Sequence, residues 1–241
     1  MELGRKKHRK TEPMPCAAVI VAAGSASRMQ GIDKALADLN GKPVLLHTLE
    51  AFERCERVDT VVVVTREDLI KPVEQLCRDH QITKVQQVLS GGSDRTRSVL
   101  RGLDALAQRE GLAAIHDGAR PLVTQEILLE TIAKAERTGA AAPAVPVKDT
   151  IKVTGDGVIA ATPDRSRLVA IQTPQIFDLD FIRGALYKAL EDDAPLTDDC
   201  SAAERLGMQV HLTEGSEENL KITTPMDLVV AQAILKRREQ P

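Results

Sequence analysis

Short, nearly continuous apolar runs alternate with amphipathic stretches along most of the chain. The runs at 17–22 (AAVIVA), 60–64 (TVVVV), 84–89 (KVQQVL), 113–116 (AAIH) and 140–147 (AAAPAVPV) predict strands. The first two have almost no polar interruption, the pattern of strands covered on both faces. Between them, 44–54 places Leu45, Leu49 and Phe52 on one helical face, and 72–79, 96–108 and 124–138 also carry helical patterns. Thr124 is placed to cap its helix, with Ile127, Leu128 and Ile132 facing inward. Strand and helix in regular alternation imply right-handed crossovers and a parallel sheet. The expected fold is a single α/β domain, with a mainly parallel sheet and helices on both its faces.

The order changes after Val147. The segments 150–153 (TIKV) and 158–161 (VIAA), joined through Gly155-Asp156-Gly157, predict a hairpin with a glycine turn. Such a hairpin would project as a β-arm within about 148–172. An isolated two-stranded hairpin is marginal in water, and a symmetric second copy can supply the missing surface. Helical pattern returns at 179–190 and 225–237, with Pro225 suited to a first helical position.

Composition narrows the function classes. A chain of 241 residues that is 43% hydrophobic and 28% charged can bury a sizeable core, and no apolar run is long enough to span a bilayer. The net charge of -3 and the aromatic content of 2% argue against a nucleic-acid binder, which needs positive charge and stacking platforms. Cys16, Cys55, Cys77 and Cys200 form no CxxC pair and no zinc spacing, and no signal-peptide pattern is present. These features point to a reduced, cytoplasmic compartment. Residues 1–15, with Arg5, Lys6, Lys7, Arg9 and Lys10, read as a solvated, disordered basic tail before a domain spanning 16–241.

Candidate chemistry gathers at the ends of the predicted strands, where ligands bind in open parallel sheets. The first strand runs into Ala22-Ala23-Gly24-Ser25-Ala26-Ser27-Arg28-Met29, and Lys34 follows. Small residues let backbone N–H groups approach phosphate oxygens, while Arg28 and Lys34 supply positive charge. The segment is neither a P-loop nor a GxGxxG fingerprint, and its plainer reading is a strand-to-helix loop bearing surface cations. Gly91-Gly92-Ser93-Asp94-Arg95 would permit close backbone contact with a flat base, and Ser98 could hydrogen-bond its edge. The plainer alternative there is a flexible turn and helix cap. In His116-Asp117-Gly118-Ala119-Arg120-Pro121, Asp117 suits a metal ion or a substrate hydroxyl and Arg120 a phosphate. A structural Asp–Arg pair is the alternative. His116 reads as a strand-end residue rather than a base, and Asp198-Asp199 as a helix cap rather than a metal pair.

In order, AAGSASRM, GGSDR, HDGARP, VPVKDT, DRSRL, QTPQ, TDDCSA and NLKIT span about residues 17–227. Together they resemble the 2-C-methyl-D-erythritol 4-phosphate cytidylyltransferase family of the non-mevalonate isoprenoid pathway. The resemblance implies a Rossmann-like nucleotidyltransferase domain. It also implies transfer of CMP from CTP to methylerythritol phosphate, giving 4-diphosphocytidyl-2-C-methyl-D-erythritol and pyrophosphate. Backbone around Ala22, Ala23 and Gly24, with Gly92 and Ser98, would hold cytosine. The loop from Ala23 through Ser25 to Lys34 would wrap the triphosphate, with Arg28 and Lys34 in direct contact and Lys221 near the α-phosphate. Asp117, Arg120, Thr150, Arg165 and Lys221 would form the acceptor site, supported by Thr173 of the TPQ motif.

Mg²⁺, or another divalent cation, would bridge phosphate oxygens, with Asp117 the one candidate protein ligand. Family members dimerise through the arm, which would bring Thr150 and Arg165 to the neighbour's substrate. CTP, methylerythritol phosphate and a second copy are thus the expected partners, with neither nucleic acid nor a membrane among them. The sequence departs from the family's usual pattern at Ile32-Asp33-Lys34-Ala35-Leu36 and at Ser93, without losing a charged group the chemistry needs. A ribitol 5-phosphate cytidylyltransferase shares the fold and several motifs, but KDTIK and TDDCSAAE favour methylerythritol phosphate. A catalytically silent nucleotide-binding protein is disfavoured by the retention of Arg28, Lys34, Asp117 and Lys221.

Overall fold

A computed structural model describes residues 13–24, 34–108 and 110–239. In chain order the elements are β1 (Cys16–Val21), β2 (Asp38–Leu39), β3 (Lys42–Pro43), α1 (Val44–Arg54), β4 (Thr60–Thr65), α2 (Ile70–Asp79), β5 (Val85–Ser90), α3 (Arg95–Ala105), β6 (Leu112–Asp117), α4 (Gln125–Thr138) and β7 (Ala140–Pro146). Then follow β8 (Val153–Gly155), β9 (Val158–Ala161), β10 (Val169–Ile171), β11 (Gln175–Asp178), α5 (Leu179–Glu191), α6 (Asp199–Arg205), β12 (His211–Glu214) and α7 (Pro225–Arg238).

The alternation in the first half produces four parallel neighbours, in the order β5, β4, β1, β6. Successive side chains of β1 point to opposite faces, and both faces are covered. Ala18 and Ile20 pack in a cluster with Leu45, Leu49, Phe52 and Ile132, while Ala17 and Val19 join Val99, Leu103, Ile182 and Leu186. Two buried faces explain why the strand reads as a continuous apolar run. Local signals set the helix ends. Asp94, Thr124, Asp178 and Asp198 accept from backbone N–H groups of the turns they precede. Gly139, at φ 81°, ends α4 in the left-handed conformation.

The second half departs from simple alternation. β11 lies antiparallel between β6 and β7. Ala141 pairs with both Ile176 and His211, and Ala144 with both Ile171 and Glu214. Strands β10 and β11 therefore share one edge of β7, and β12 runs parallel along the other. A cis Thr173–Pro174 bond lies between β10 and β11. The sheet is mixed, with its parallel part where the sequence pattern predicts it. The helix predicted at 96–108 starts one residue earlier and stops at Ala105. The predicted hairpin is present with its first strand shifted, to Val153–Gly155 from the predicted 150–153: β8 and β9 pair with each other, and both are exposed throughout.

The basic residues from Arg5 to Lys10 lie outside the described residues. All four cysteines are free and buried. Among the described residues no helix is long and apolar enough to cross a membrane.

Gly102, inside α3, shows packing overriding propensity. Gly-to-Ala substitution in a helix normally stabilises by about 1 kcal/mol. Here an added Cβ would run into the side chains of Val19 and Val64, both buried in the sheet that supports the site. Overpacking of this kind costs about 1–3 kcal/mol. Gly102→Ala is therefore expected to lower the urea midpoint; an unchanged or higher midpoint would show that the helix–sheet contact yields freely.

Candidate active site

Parallel strands deliver their carboxyl ends to one edge, and the backbone there closes a floor. Ala22 N donates to Val64 O at 2.7 Å, Gly91 N to Thr65 O at 2.7 Å and Gly118 N to Val21 O at 2.8 Å. A cavity of about 400 Å³ opens over this floor. Ala22, Ala23, Gly24 and Lys34 line one side, Gly92 to Arg95 and Ser98 another, and Asp117, Lys221 and Thr223 a third. Five segments distant in sequence thus converge as expected.

The glycine pair is needed for close packing within the chain itself. A Cβ on Gly91 would come within 2.6 Å of the Ala23 Cβ, and one on Gly92 would collide with Arg97. Ser98, buried on α3, accepts from Gly92 N at 3.0 Å and donates to Asp94 O at 2.7 Å. Its hydroxyl ties down the loop that the sequence reading assigned to the base.

Asp117 is the centre of charge. Its Oδ2 lies 2.7 Å from Lys221 Nζ and 3.8 Å from Arg120 Nε; its Oδ1 lies 3.7 Å from Arg95 Nε. Burial alone would raise the carboxyl's pKa, but Lys221, then Arg95 and Arg120, outweigh it and hold the group below the ordinary carboxylate range. Thr173, from the turn before β11, sits beneath: its Oγ1 accepts from Asp117 N at 3.1 Å and faces His116 Nδ1 at 3.1 Å. Arg120 donates through Nη1 to Asn219 O at 2.6 Å, and Asn219 Nδ2 donates to Thr173 O at 3.0 Å. Asp117, Arg120, Thr173 and Lys221 therefore form one network.

Other candidates fall elsewhere. Ser25 and Arg28 lie outside the described residues. Thr150 is exposed near the arm, and Arg165 is exposed in a 3-10 turn, donating to Lys148 O. Neither lines the cavity of its own chain. Asp198 is the cap the sequence suggested, with Ser201 completing a capping box. Asp199 is not a metal ligand pair with it: both its carboxylate oxygens are bonded by Arg95, at 2.9 and 2.7 Å. Sequence reasoning gave Arg95, Gln175 and Asn219 no role. Their signal was polarity inside otherwise well-packed motifs, and only the fold reveals what each one meets.

Among the described residues no group of three or more His, Cys, Asp or Glu side chains could hold a metal. The cavity's Asp117 already meets Lys221 at hydrogen-bond distance. A divalent ion here would have to be carried mainly by phosphate oxygens and water, as Mg²⁺ usually is, since the described residues offer no protein cage. Among the described residues no nucleophile–base pair faces the cavity. His116 is fully buried, 5.0 Å from the Phe52 ring, and burial pushes its pKa down to about 4.

An α/β sheet with a glycine-braced cavity and cations at its carboxyl edge suits an anionic nucleotide, and the relatives of the chain make it a nucleotidyltransferase. The profile of the family described as IspD, 2-C-methyl-D-erythritol 4-phosphate cytidylyltransferase, matches residues 16–237, and the chain belongs to that family. The enzyme of that name from Halalkalibacterium halodurans is 45% identical over 229 residues, covering 94% of this chain and all of the relative. Its namesake from Syntrophus aciditrophicus is 42% identical, covering 92% and 96%. The crystal structure of 4-diphosphocytidyl-2C-methyl-D-erythritol synthase from Anaerococcus prevotii superposes with a TM-score of 0.82 at 30% identity, covering 93% and 97%. That of the cytidylyltransferase from Thermus thermophilus gives 0.75 at 30% identity, covering 90% and 98%.

Burial of neutral His116 has a consequence for stability. The unfolded chain protonates this residue near pH 6.5, the folded chain only near pH 4. Between those values the unfolded state binds more protons, so the stability contribution present above pH 6.5 is lost as pH falls toward 4. Urea midpoints measured from pH 7 to pH 4 should therefore fall more steeply for the wild type than for His116→Gln. Parallel pH dependences would exclude a buried neutral imidazole.

Proposed function

We propose that the protein transfers CMP from CTP to 2-C-methyl-D-erythritol 4-phosphate, producing 4-diphosphocytidyl-2-C-methyl-D-erythritol and pyrophosphate. The observation that carries this reading is the Asp117–Lys221 pair, 2.7 Å apart, lining one cavity with the Gly92–Asp94 loop and Ser98 of α3, in a chain matched along nearly its whole length by the family. In this reading the cavity's backbone N–H groups and the Gly92 loop receive the nucleotide. Lys34 and Arg28 meet the triphosphate, and Lys221 stands between nucleotide and acceptor. Asp117 and Arg120 hold the acceptor, with Thr173 fixing Asp117 from below.

The acceptor's phosphate oxygen is the nucleophile. It is anionic near neutral pH, so the enzyme needs no base, in keeping with the neutral, buried His116. It attacks the α-phosphorus; the bond to the β-phosphate oxygen breaks, and pyrophosphate leaves in line. The protein's contribution is to align two anions and to set fixed cations against the charge that builds on the leaving group. Magnesium carried by the triphosphate would supply further charge neutralisation.

We further propose a cytoplasmic homodimer. Val153, Val158 and Ile159 of the hairpin are 48%, 66% and 63% exposed, more apolar surface than a lone two-stranded ribbon can leave in water. Thr150 and Arg165, beside that surface, would then reach the partner's acceptor.

Two measurements test these readings. Purified enzyme given CTP, Mg²⁺ and methylerythritol phosphate should release pyrophosphate, and EDTA should abolish release. A higher kcat/KM with ribitol 5-phosphate would overturn the acceptor assignment. For the shared site, Lys34→Ala should cost about 10²–10³ in kcat, the usual loss of one preorganised donor. Mixed with Arg165→Ala chains under subunit exchange, it should regain activity, because one site of the heterodimer carries both defects and the other neither. Heterodimers that form without regaining activity would rule out the shared site.

A further inference from the structure

Asp199 lies behind the cavity wall at 1% exposure, outside the machinery assigned above. Its carboxylate does not dock its helix. Docking of α6 runs through Gln175, whose Oε1 accepts from the backbone N–H groups of Asp199 and Cys200 at 3.0 and 3.1 Å and whose Nε2 donates to Asp198 Oδ2 at 2.9 Å. The hydrogen bonds described for the Asp199 carboxylate come from Arg95 Nη1 and Nη2. Arg95 is the first residue of α3, one step past the Gly92–Asp94 loop, and lines the cavity.

This arrangement governs which part of Arg95 reaches Asp117. Both Nη atoms are engaged by Asp199, so only Nε faces Asp117 Oδ1, at 3.7 Å, beyond hydrogen-bond distance. Lys221 holds Oδ2 at 2.7 Å without competition from a guanidinium fork. A guanidinium binds carboxylates best in two-pronged fashion. Without the Asp199 charge, Asp117 is the nearest carboxylate that the fork could take.

We propose that Asp199 is a positioning residue: it holds the Arg95 fork away from Asp117 and thereby reserves Asp117 for Lys221. The inference rests on the acceptor role given above to that pair. Asp199→Asn, which keeps size and backbone docking, frees the fork to close on Asp117 and displace Lys221. Misplacement of a substrate-positioning group on this scale costs roughly tenfold or more in rate. The loss comes from a misdirected Arg95, so removing the fork as well reverses it.

The experiment is a cycle of wild type, Asp199→Asn, Arg95→Gln and the double variant, assayed for kcat and for KM of methylerythritol phosphate. Asp199→Asn is expected to lower kcat/KM roughly tenfold or more, and the double variant to return to the value of Arg95→Gln alone. A purely structural role for Asp199 would give no such rescue. A double variant clearly less active than Arg95→Gln alone overturns the proposal, as does an Asp199→Asn enzyme with wild-type constants. If Asp199→Asn alone fails to fold, the comparison within the Arg95→Gln background still decides. Equal constants with and without Asp199→Asn support the proposal, and a further roughly tenfold loss overturns it. A wild type inactive on methylerythritol phosphate would sink the functional reading and this inference together; an active wild type without the rescue sinks the inference alone.

Discussion

Burying a carboxylate is costly unless cations offset the lost hydration, and at Asp117 that requirement shapes the whole site. Lys221, Arg95 and Arg120 come from the segment before α7, the start of α3 and the turn after β6. Arg120 is local to Asp117, but Arg95 and Lys221 are remote from it and from each other in sequence, so most of the charge balance exists only in the folded chain. The balance also acts in reverse. Arg120 is itself half-buried, and burial lowers its pKa while Asp117 opposes that. An anionic ligand entering such a site meets cations already held in place, which is the condition under which fixed charges stabilise a transition state most.

The antiparallel strand β11 links this charge centre to the second half of the chain. Inserted between β6 and β7, it places Thr173 under the Asp117 backbone and Gln175 under the start of α6. Without it, β6 would pair directly with the next parallel strand, and neither support would reach the site. Asn219 then joins the turn before β11 to the segment bearing Lys221, through Thr173 O and the Gln172 side chain. The substrate-facing residues lie at loop ends, but their supports are hydrogen bonds to strand and helix termini, which fix them better than loop backbone alone could.

The parallel half of the fold was legible because its signal is local. Continuous apolar runs such as AAVIVA correspond to β1, whose residues are buried on two faces, and helical patterns such as 44–54 correspond to α1 with the same bounds. Strand β11 was missed because QIFD is short and mixed, and its place follows from pairing with Ala113–Leu112 and Ala140, which no local pattern encodes. The hairpin was readable from its glycine turn, though Thr150 lies outside the paired strands. Site residues that project from strand ends, such as Asp117, could be placed from topology. Asp199 could not: a helix-start aspartate reads as a cap, and its neighbour Asp198 is one. Only the distance to Arg95, which is remote in sequence, distinguishes the two carboxylates.

The distribution of titratable groups also decides what kind of catalysis the fold can support. General-base chemistry needs a group within reach of the reacting proton and with a pKa near the working pH. His116 fails on both counts, being sealed between Phe52 and Thr173 with a pKa near 4. Covalent catalysis through sulfur fails too: the four thiols are buried, and burial pushes them above their ordinary range, away from the reactive thiolate. What the described cavity offers is positive charge from Lys34, Arg95 and Lys221, the last two paired with the carboxylates of Asp199 and Asp117. A reaction whose nucleophile arrives already ionised can run on that alone, whereas one that must first remove a proton cannot. As far as the described residues go, the site suits phosphate attacking phosphate.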